Sequence, residues 1–386
     1  MTRRASVVLA LVGSVAFVVA CVLVEQGLTN ASLYSDVHVY AAYASKMVDG
    51  GVPYRDFSDE YPPLAQPVFL LGRVAGAGNF AVAFKAFMAL CGVGALWCAV
   101  FTLRALRASA VHAVAAVCVI AAAPLLVGPI FLNAYDLWPA FLLSLTLLLL
   151  VSGRPMWAFA VLGAAVAAKV YPVAVLPIAV LSIDRALRRR AVLTFLGVLV
   201  VLHLPFAVLG PGGLRYSYEL QARRGLELNS LGASILLAVG HPHLANRPPG
   251  SLNVTGGTAR AFAVVSAVLV LAAIAAAAWA YHRGRLSLIA ASAAAVAGFV
   301  AFDKVFSAQY VDWLVPLVPL VSIGAAVGSI PALVLTRLVF SHRSQLANVT
   351  DVPLLLARNA FVVALFVTLL WRGVSPLHRT DRPRES

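Results

Sequence analysis

The sequence predicts an all-α, polytopic membrane protein with about ten to twelve crossing helices, on three observations. Hydrophobic residues make up 62% of the chain and charged residues only 11%, with a mean hydropathy of +0.92; a soluble domain carries about 25% charged residues. Apolar runs of about 18 residues or more recur along the length, each able to cross ~30 Å of hydrocarbon as a helix. The period-two alternation of a membrane barrel is missing from those runs, so in lipid their backbone hydrogen bonds have to close within helices.

The first run, residues 6–24, follows Arg3 and Arg4 in the manner of a signal peptide. No small-x-small cleavage site precedes the polar segment after it, so it reads as a retained first helix. Further spans are expected at 80–103, 113–131, 136–151, 156–168, 172–183, 191–209, 260–281, 285–302, 308–324, 327–340 and 355–372. The runs 156–168 and 172–183 are too short for two full crossings and have Lys169 at their apex. That is the pattern of a hairpin of short helices beside a water-filled cavity. The 327–340 run is short as well. Cys21, Cys91, Cys98 and Cys118 each lie in an apolar run, without disulfide or metal spacing, and read as small packing residues.

The formal charge of +14 would suggest a nucleic-acid partner in a soluble protein. Here the arginines cluster between apolar runs, as the positive-inside rule expects, so the expected partner is the lipid bilayer and no nucleic acid. Arg104 and Arg107, Arg154, Arg185 with Arg188 to Arg190, Arg283 and Arg285, and the tail from Arg372 mark the cytoplasmic side. The four lysines, Lys46, Lys85, Lys169 and Lys304, lie outside these clusters. The long polar loops 25–79 and 210–259 then face outward, with Asp303–Asp312 and the 341–354 connection, and hold nearly all the carboxylates. A single transmembrane domain over residues 1–386 is expected, with His241–Gly257 as a mobile loop rich in proline and glycine.

The first outer loop is the most informative segment. Ser35 is a good N-cap, and Gly50-Gly51 before Pro53 is a good stop. Between them Asp36, Tyr40 and Tyr43 fall at i, i+4 and i+7, on one face of a short amphipathic helix at the membrane surface. The helix dipole favours an ionised Asp36, the form a general base needs; the same position also suits a plain helix cap, and both readings stand. In the loop after it, Asp56, Asp59 and Glu60 stand among aromatics and prolines, suited to sugar hydroxyls or to a structural role pinned by Arg55. They lack the D-x-D spacing of a metal site. Four polar segments then interrupt apolar sequence: Asn133-Ala-Tyr-Asp136, Lys169-Val-Tyr-Pro172, Arg223 to Ser230, and Asp303 to Tyr310. Ionisable groups at membrane depth cost ~2.5–3.5 kcal/mol on insertion scales and usually line a pathway or site. Lys169, Arg224 and Lys304 have no obvious carboxylate nearby in sequence except Asp303, and together suit a phosphate dianion.

In order along the chain, the Asp36 loop, Tyr54-Arg-Asp-Phe-Ser-Asp-Glu-Tyr-Pro-Pro63, Tyr135-Asp-Leu-Trp-Pro139, Lys169-x-Tyr-Pro172, Arg224-Gly-Leu-Glu-Leu-Asn-Ser230 and Lys304-Val-Phe-Ser-Ala-Gln-Tyr310 resemble glycosyltransferase family 87. These are GT-C type α-mannosyltransferases of actinobacteria that use polyprenyl-phosphate-mannose. The resemblance covers about residues 30–320 and lies in the order of motifs that are each weak alone. It departs at Glu227-Leu-Asn229, where a Gln-Ile-Glu type sequence is commoner, and at Ala308, where proline is; these changes bear on sugar and acceptor rather than on reaction class.

The resemblance implies a GT-C fold, a polyprenyl-phosphate-sugar donor, a glycolipid or glycan acceptor, and Asp36 as catalytic base. With the residues above it yields a substrate-binding set of Tyr40, Tyr43, Asp59, Glu60, Lys169, Arg223, Arg224, Asn229, Lys304 and Gln309. No cofactor or divalent metal is expected, because phosphate is a good leaving group and the carrier is itself a substrate. The expected setting is the bacterial plasma membrane with the site outside. A pentose (arabinosyl) donor is a variant of this reading. A lipid-linked sugar flippase is the rival from another class, but inverted repeats of the transporter type are not evident. A glycosidase would need two carboxylates at a fixed separation and gains nothing from the membrane.

Overall fold

The computed structural model describes residues 1–29, 35–74, 76–240, 243–247, 251–341 and 351–372. The chain is a helical bundle with irregular segments gathered at one end. Helix α1 (Arg3–Glu25) begins at Thr2, whose side chain accepts from the Ala5 N–H at 3.2 Å. It buries Ser6, Ala10, Gly13, Phe17, Cys21 and Val24 on one stripe and turns Val8, Leu11, Val12, Val15 and Val19 outward. An apolar outer face of this kind fits hydrocarbon, not water. Helix α2 (Val37–Val48) and short α3 (Gln66–Leu71) form the first outer segment, followed by α4 (Phe80–Ala105) and α5 (Ala110–Val127). The α1 face packs on both α4 and α5.

Helices α6 (Leu137–Val151), α7 (Pro155–Ala168) and α8 (Leu176–Leu181) precede α9 (Arg185–Leu209), of which only Ala191 and Phe195 are buried. Fourteen residues in α7 span about 21 Å at 1.5 Å per residue, short of the hydrocarbon thickness. The helix stops at Lys169, whose φ of −160° and ψ of 141° are extended, so the hairpin expected there is present. The outer layer continues with α10 (Pro211–Ala222), β1 (Leu226–Glu227), α11 (Leu231–Ala238), β2 (Leu244–Arg247) and β3 (Ser251–Val254). Helices α12 (Gly257–His282), α13 (Leu288–Phe302), α14 (Ile323–Ser341) and α15 (Val352–Arg372) complete the described chain. Alanine-rich α13 is buried almost all round, between α12 and α15.

Among the described residues seven helices are long and apolar enough to cross a membrane: α1, α4, α5 with the 3₁₀ turn after it, α9, α12, α14 and α15. Four shorter apolar segments, Leu137–Val151, Pro155–Ala168, Tyr171–Leu181 and Leu288–Phe302, lie among them. The protein is thus a multi-pass membrane protein.

Two expectations are corrected. The 308–324 span is no α-helix: it runs as 3₁₀ turns at Ala308–Trp313 and Val318–Leu320. Pro316 and Pro319 remove two helical donors, and irregular backbone is tolerated at this depth because protein surrounds it, every residue from Val311 to Leu320 being buried. It reaches the other end of the bundle, where His112 Nε2 at the start of α5 lies 2.9 Å from the Pro319 carbonyl. Helix α14, expected over 327–340, has 19 residues and is long enough to span. The outward segment 210–259 also carries a small antiparallel sheet of order β1-β3-β2, in which Leu226 faces Val254 and Arg247 faces Ser251. The loop expected to be mobile over 241–257 contains this β2–β3 hairpin, while residues 241–242 and 248–250 lie outside the described residues, as do 342–350 of the outer connection and the tail after 372. Cys21, Cys91 and Cys98 are buried packing residues, whereas Cys118 faces outward.

The outer layer is bound to the bundle through Tyr54, which has a φ of 67°. Its hydroxyl donates to the Tyr61 carbonyl, its ring meets Phe206 of α9 edge-on at 5.2 Å, and its backbone lies against Gly210 and Gly213. A Cβ on Gly213 would overlap the Tyr54 carbonyl. Gly213→Ala should therefore lower stability by about 1–3 kcal/mol, read as a lower thermal midpoint in detergent; an unchanged midpoint would mean that α10 does not dock on Tyr54 this closely.

Candidate active site

Asp36 stands at the N-cap position just before α2, anchored by its own N–H to the Asn133 carbonyl at 3.1 Å. Its carboxylate makes no capping hydrogen bond, and the Ser35 hydroxyl takes the Val37 N–H at 3.4 Å instead. Asp36 Oδ2 accepts from the Gln309 amide at 3.3 Å and the Tyr40 hydroxyl at 3.4 Å. The i, i+4 spacing read in the sequence is what brings Tyr40 to Asp36. Tyr40 is fully buried, stacked on Phe69 at 4.5 Å and edge-on to Tyr61 and Tyr135. It supports the carboxylate from below and does not line an open wall. Tyr43 is half-buried, stacked against Phe57, with the Lys46 ammonium 5.8 Å from its ring.

The loop after α2 brings Asp59 and Glu60 under the same roof. Asp59 is 2% exposed, and its Oδ1 accepts from the Tyr61 N–H at 2.8 Å. The Glu60 carbonyl accepts from Gln221 of α10 at 3.2 Å. Burial pushes the Glu60 carboxyl up from 4.5 to about 7; Arg224 and Lys169 oppose the rise, while Asp36 and Asp59 add to it. Burial likewise takes Asp59 from 3.8 to about 7, against hydrogen bonds from Tyr61 and Gln66 and the charge of Lys46.

The cations come from three separate elements. Lys169, at the break after α7, has a carboxylate partner that sequence proximity hid: Asp136, fully buried and 33 residues away, at 2.6 Å. Its ammonium also lies over the rings of Tyr135, Trp313 and Tyr310 at 4.7, 5.3 and 5.5 Å. The same Asp136 oxygen accepts from Trp313 Nε1 at 2.6 Å, tying the irregular span to α6. Arg224 donates to Gln221 at 3.3 Å and feels Glu60, Glu227, Asp303 and Tyr310. Lys304 donates to the Ala222 carbonyl at 2.6 Å, which brings its ammonium beside the end of α10. Burial draws Lys304 below the ordinary lysine value, with Asp303 opposing and Arg224 assisting.

Two expected residues stand elsewhere. Arg223 is 79% exposed in its side chain and pairs with Glu219 at 3.2 Å, because the next position along the chain faces the other way. Asn229 is buried in framework, bonded to Glu227 through its side chain at 2.6 Å. Arg358 and Asn359 of α15 were missed, although both donate to the Asn229 carbonyl, at 2.5 and 3.3 Å. The available signal was an ionisable residue within an apolar run. Among the described residues no three His, Cys, Asp or Glu side chains come together as a metal-holding group. An apolar groove of about 510 Å³ runs between Met47–Pro53, Pro63–Leu70 and the Val201–Phe206 stretch of α9.

A multi-pass bundle of this form, with its irregular segments and their carboxylates and cations at one end, is a membrane glycosyltransferase of the GT-C fold. The chain belongs to glycosyltransferase family 87, whose family model matches residues 60–307. Its structure is similar to that of ArnT from Cupriavidus metallidurans bound to undecaprenyl phosphate, at 16% identity and a TM-score of 0.51, covering 97% of this chain and 78% of that one. Against ArnT from the same organism in the apo state the identity is 16% and the TM-score 0.48, with 95% of this chain and 76% of that one covered. No curated protein matches the chain. Asp36 and α15 both fall outside the residues matched by the family model.

Glu60 and Asp59 give the fold a pH dependence. Between the ordinary carboxylate values, 4.5 and 3.8, and about 7, the folded protein holds protons that the unfolded chain has released. Stability therefore falls as pH rises across that window. The thermal midpoint should drop as pH is raised through about 7, and Glu60→Gln should flatten the drop; a slope identical to wild type would remove Glu60 as its source.

Proposed function

We propose that the protein transfers mannose from a polyprenyl-phosphate carrier to a hydroxyl of a glycolipid or lipid-linked acceptor at the extracytoplasmic face of the bacterial plasma membrane. One arrangement carries this reading: the 303–322 segment bonds the Asp36 carboxylate through Gln309 at 3.3 Å and also sets the Lys304 ammonium 2.6 Å from the Ala222 carbonyl, at the end of α10 where Arg224 lies. A base and a phosphate site thus share one partly buried region at the outer end of the bundle. The choice of a lipid-phosphate carrier is supported by the ArnT structure, which holds undecaprenyl phosphate. The choice of mannose rests on the ordered motifs alone.

The acceptor oxygen attacks the anomeric carbon while the bond from that carbon to the phosphate oxygen breaks. The bonding electrons leave with the phosphate, and the hydroxyl proton passes to Asp36. A single displacement inverts the anomeric centre, so a β-linked donor yields an α-mannoside. Phosphate needs little protonation to leave, and no general acid is required. Arg224 and Lys304, aided by the Lys169 pair, meet the charge that grows on the leaving phosphate. The Gln309 and Tyr40 bonds orient the Asp36 carboxylate toward the acceptor. The apolar groove beside α9, open toward the lipid-facing side of the bundle, offers a seat for an isoprenoid chain.

The test is to incubate purified protein with labelled polyprenyl-phosphate-mannose and a panel of glycolipid acceptors. Asp36→Asn should lower turnover by about 10²–10⁴ while leaving the thermal midpoint near wild type. Near-normal turnover in that variant would remove Asp36 as base, and no transfer from any lipid-linked sugar would favour a transporter. Arg224→Met and Lys304→Met should each reduce kcat/KM by about 10²–10³, the size expected for losing a charge-stabilising donor; equal rates in all three proteins would place the phosphate elsewhere.

A further inference from the structure

Helix α15 lies outside the residues matched by the family model, yet it places a guanidinium at the back of the proposed phosphate site. Arg358 is 0% exposed. It lies 3.6 Å from the Phe306 ring centre and donates through Nη2 to the Asn229 carbonyl at 2.5 Å. Asn359 beside it donates to the same carbonyl at 3.3 Å and to Ser234 at 3.0 Å.

In front of Arg358 sits Glu227, 5% exposed. Its Oε2 accepts the backbone N–H groups of Asn229 at 3.1 Å and Phe306 at 3.2 Å, and its Oε1 accepts the Asn229 side chain at 2.6 Å. The Glu227 N–H donates to the Lys304 carbonyl at 2.9 Å. One carboxylate therefore joins two segments remote in sequence: residues 224–230, which begin with Arg224, and residues 303–306, which contain Lys304. Arg358 holds both from behind, one through the Asn229 carbonyl and the other through the Phe306 ring.

A buried carboxylate and guanidinium each cost several kcal/mol in desolvation, and well-packed apolar residues often stabilise a fold as well or better. Stability is thus a weak reason for these charges. Geometry is a stronger one, since displacing a binding group by about 1 Å can cost 10²-fold in rate. We propose that Glu227 and Arg358 are positioning residues that set the separation of Arg224 and Lys304 for a lipid phosphate. The proposal rests on the function given above, in that it takes those two cations to be the phosphate ligands.

Binding of undecaprenyl phosphate to the full-length protein in nanodiscs tests it, with hydrogen exchange and the thermal midpoint measured on the same samples. Glu227→Gln keeps the volume but replaces one acceptor oxygen with a donor. It should weaken binding by about tenfold or more, the scale of one charged hydrogen bond, and speed exchange in residues 224–230 and 303–306 together. Arg358→Met should do the same, and Arg358→Lys should recover part of the affinity.

Unchanged binding in both Glu227→Gln and Arg358→Met, or faster exchange in only one of the two segments, would overturn the positioning role. A loss of thermal midpoint without a loss of affinity would do so too, by showing a purely structural role. Failure of the wild type itself to bind undecaprenyl phosphate would count against the proposed donor. Exchange in the two segments would then still decide whether Glu227 and Arg358 couple them.

Discussion

Backbone that is not helical can lie at membrane depth only where protein encloses it and satisfies its hydrogen bonds. The architecture follows from that constraint. The segment 303–322 abandons the helix, and it can do so because α5, α6, α13 and α14 surround it. Freed from helical pitch, it can place Lys304, Phe306, Gln309 and Trp313 against four different partners: Ala222, Glu227, Asp36 and Asp136. A regular helix in that position would have spread those side chains around its circumference. The break after α7 works in the same way, leaving Lys169 at the end of a short helix where Asp136 and three aromatic rings receive its charge.

Lys169 is matched by Asp136, while Arg224 lies among Glu60, Glu227 and Asp303. Low local dielectric strengthens these interactions and raises the cost of leaving any of them unmet. Asp59 and Glu60, pushed up by burial to about 7, make the net charge of this region depend on pH.

Much of the helical scaffold was legible before any coordinates, because long apolar runs report directly on lipid. The exceptions share one cause. The run 308–324 is as apolar as its neighbours, and hydropathy does not distinguish a helix in lipid from irregular backbone wrapped in protein. Pro316 and Pro319 were the available hint. In the outer loop, the spacing put Asp36 and Tyr40 on one helical face, and the structure joins them by a hydrogen bond, since i and i+4 meet on a helix. The partnership of Lys169 with Asp136 was hidden by 33 intervening residues.

The sequence by itself determined the solvent, the class of fold and the inventory of charged groups placed at the ends of spans, since each follows from composition and local period. Tertiary structure decided which of those groups meet. It turned Arg223 outward and Arg224 inward, withdrew Asn229 into the framework, and brought Arg358 from the last described helix to the rear of the site. Pairings of this kind depend on how separate helices pack, and a one-dimensional pattern carries no record of the distance between residues remote along the chain.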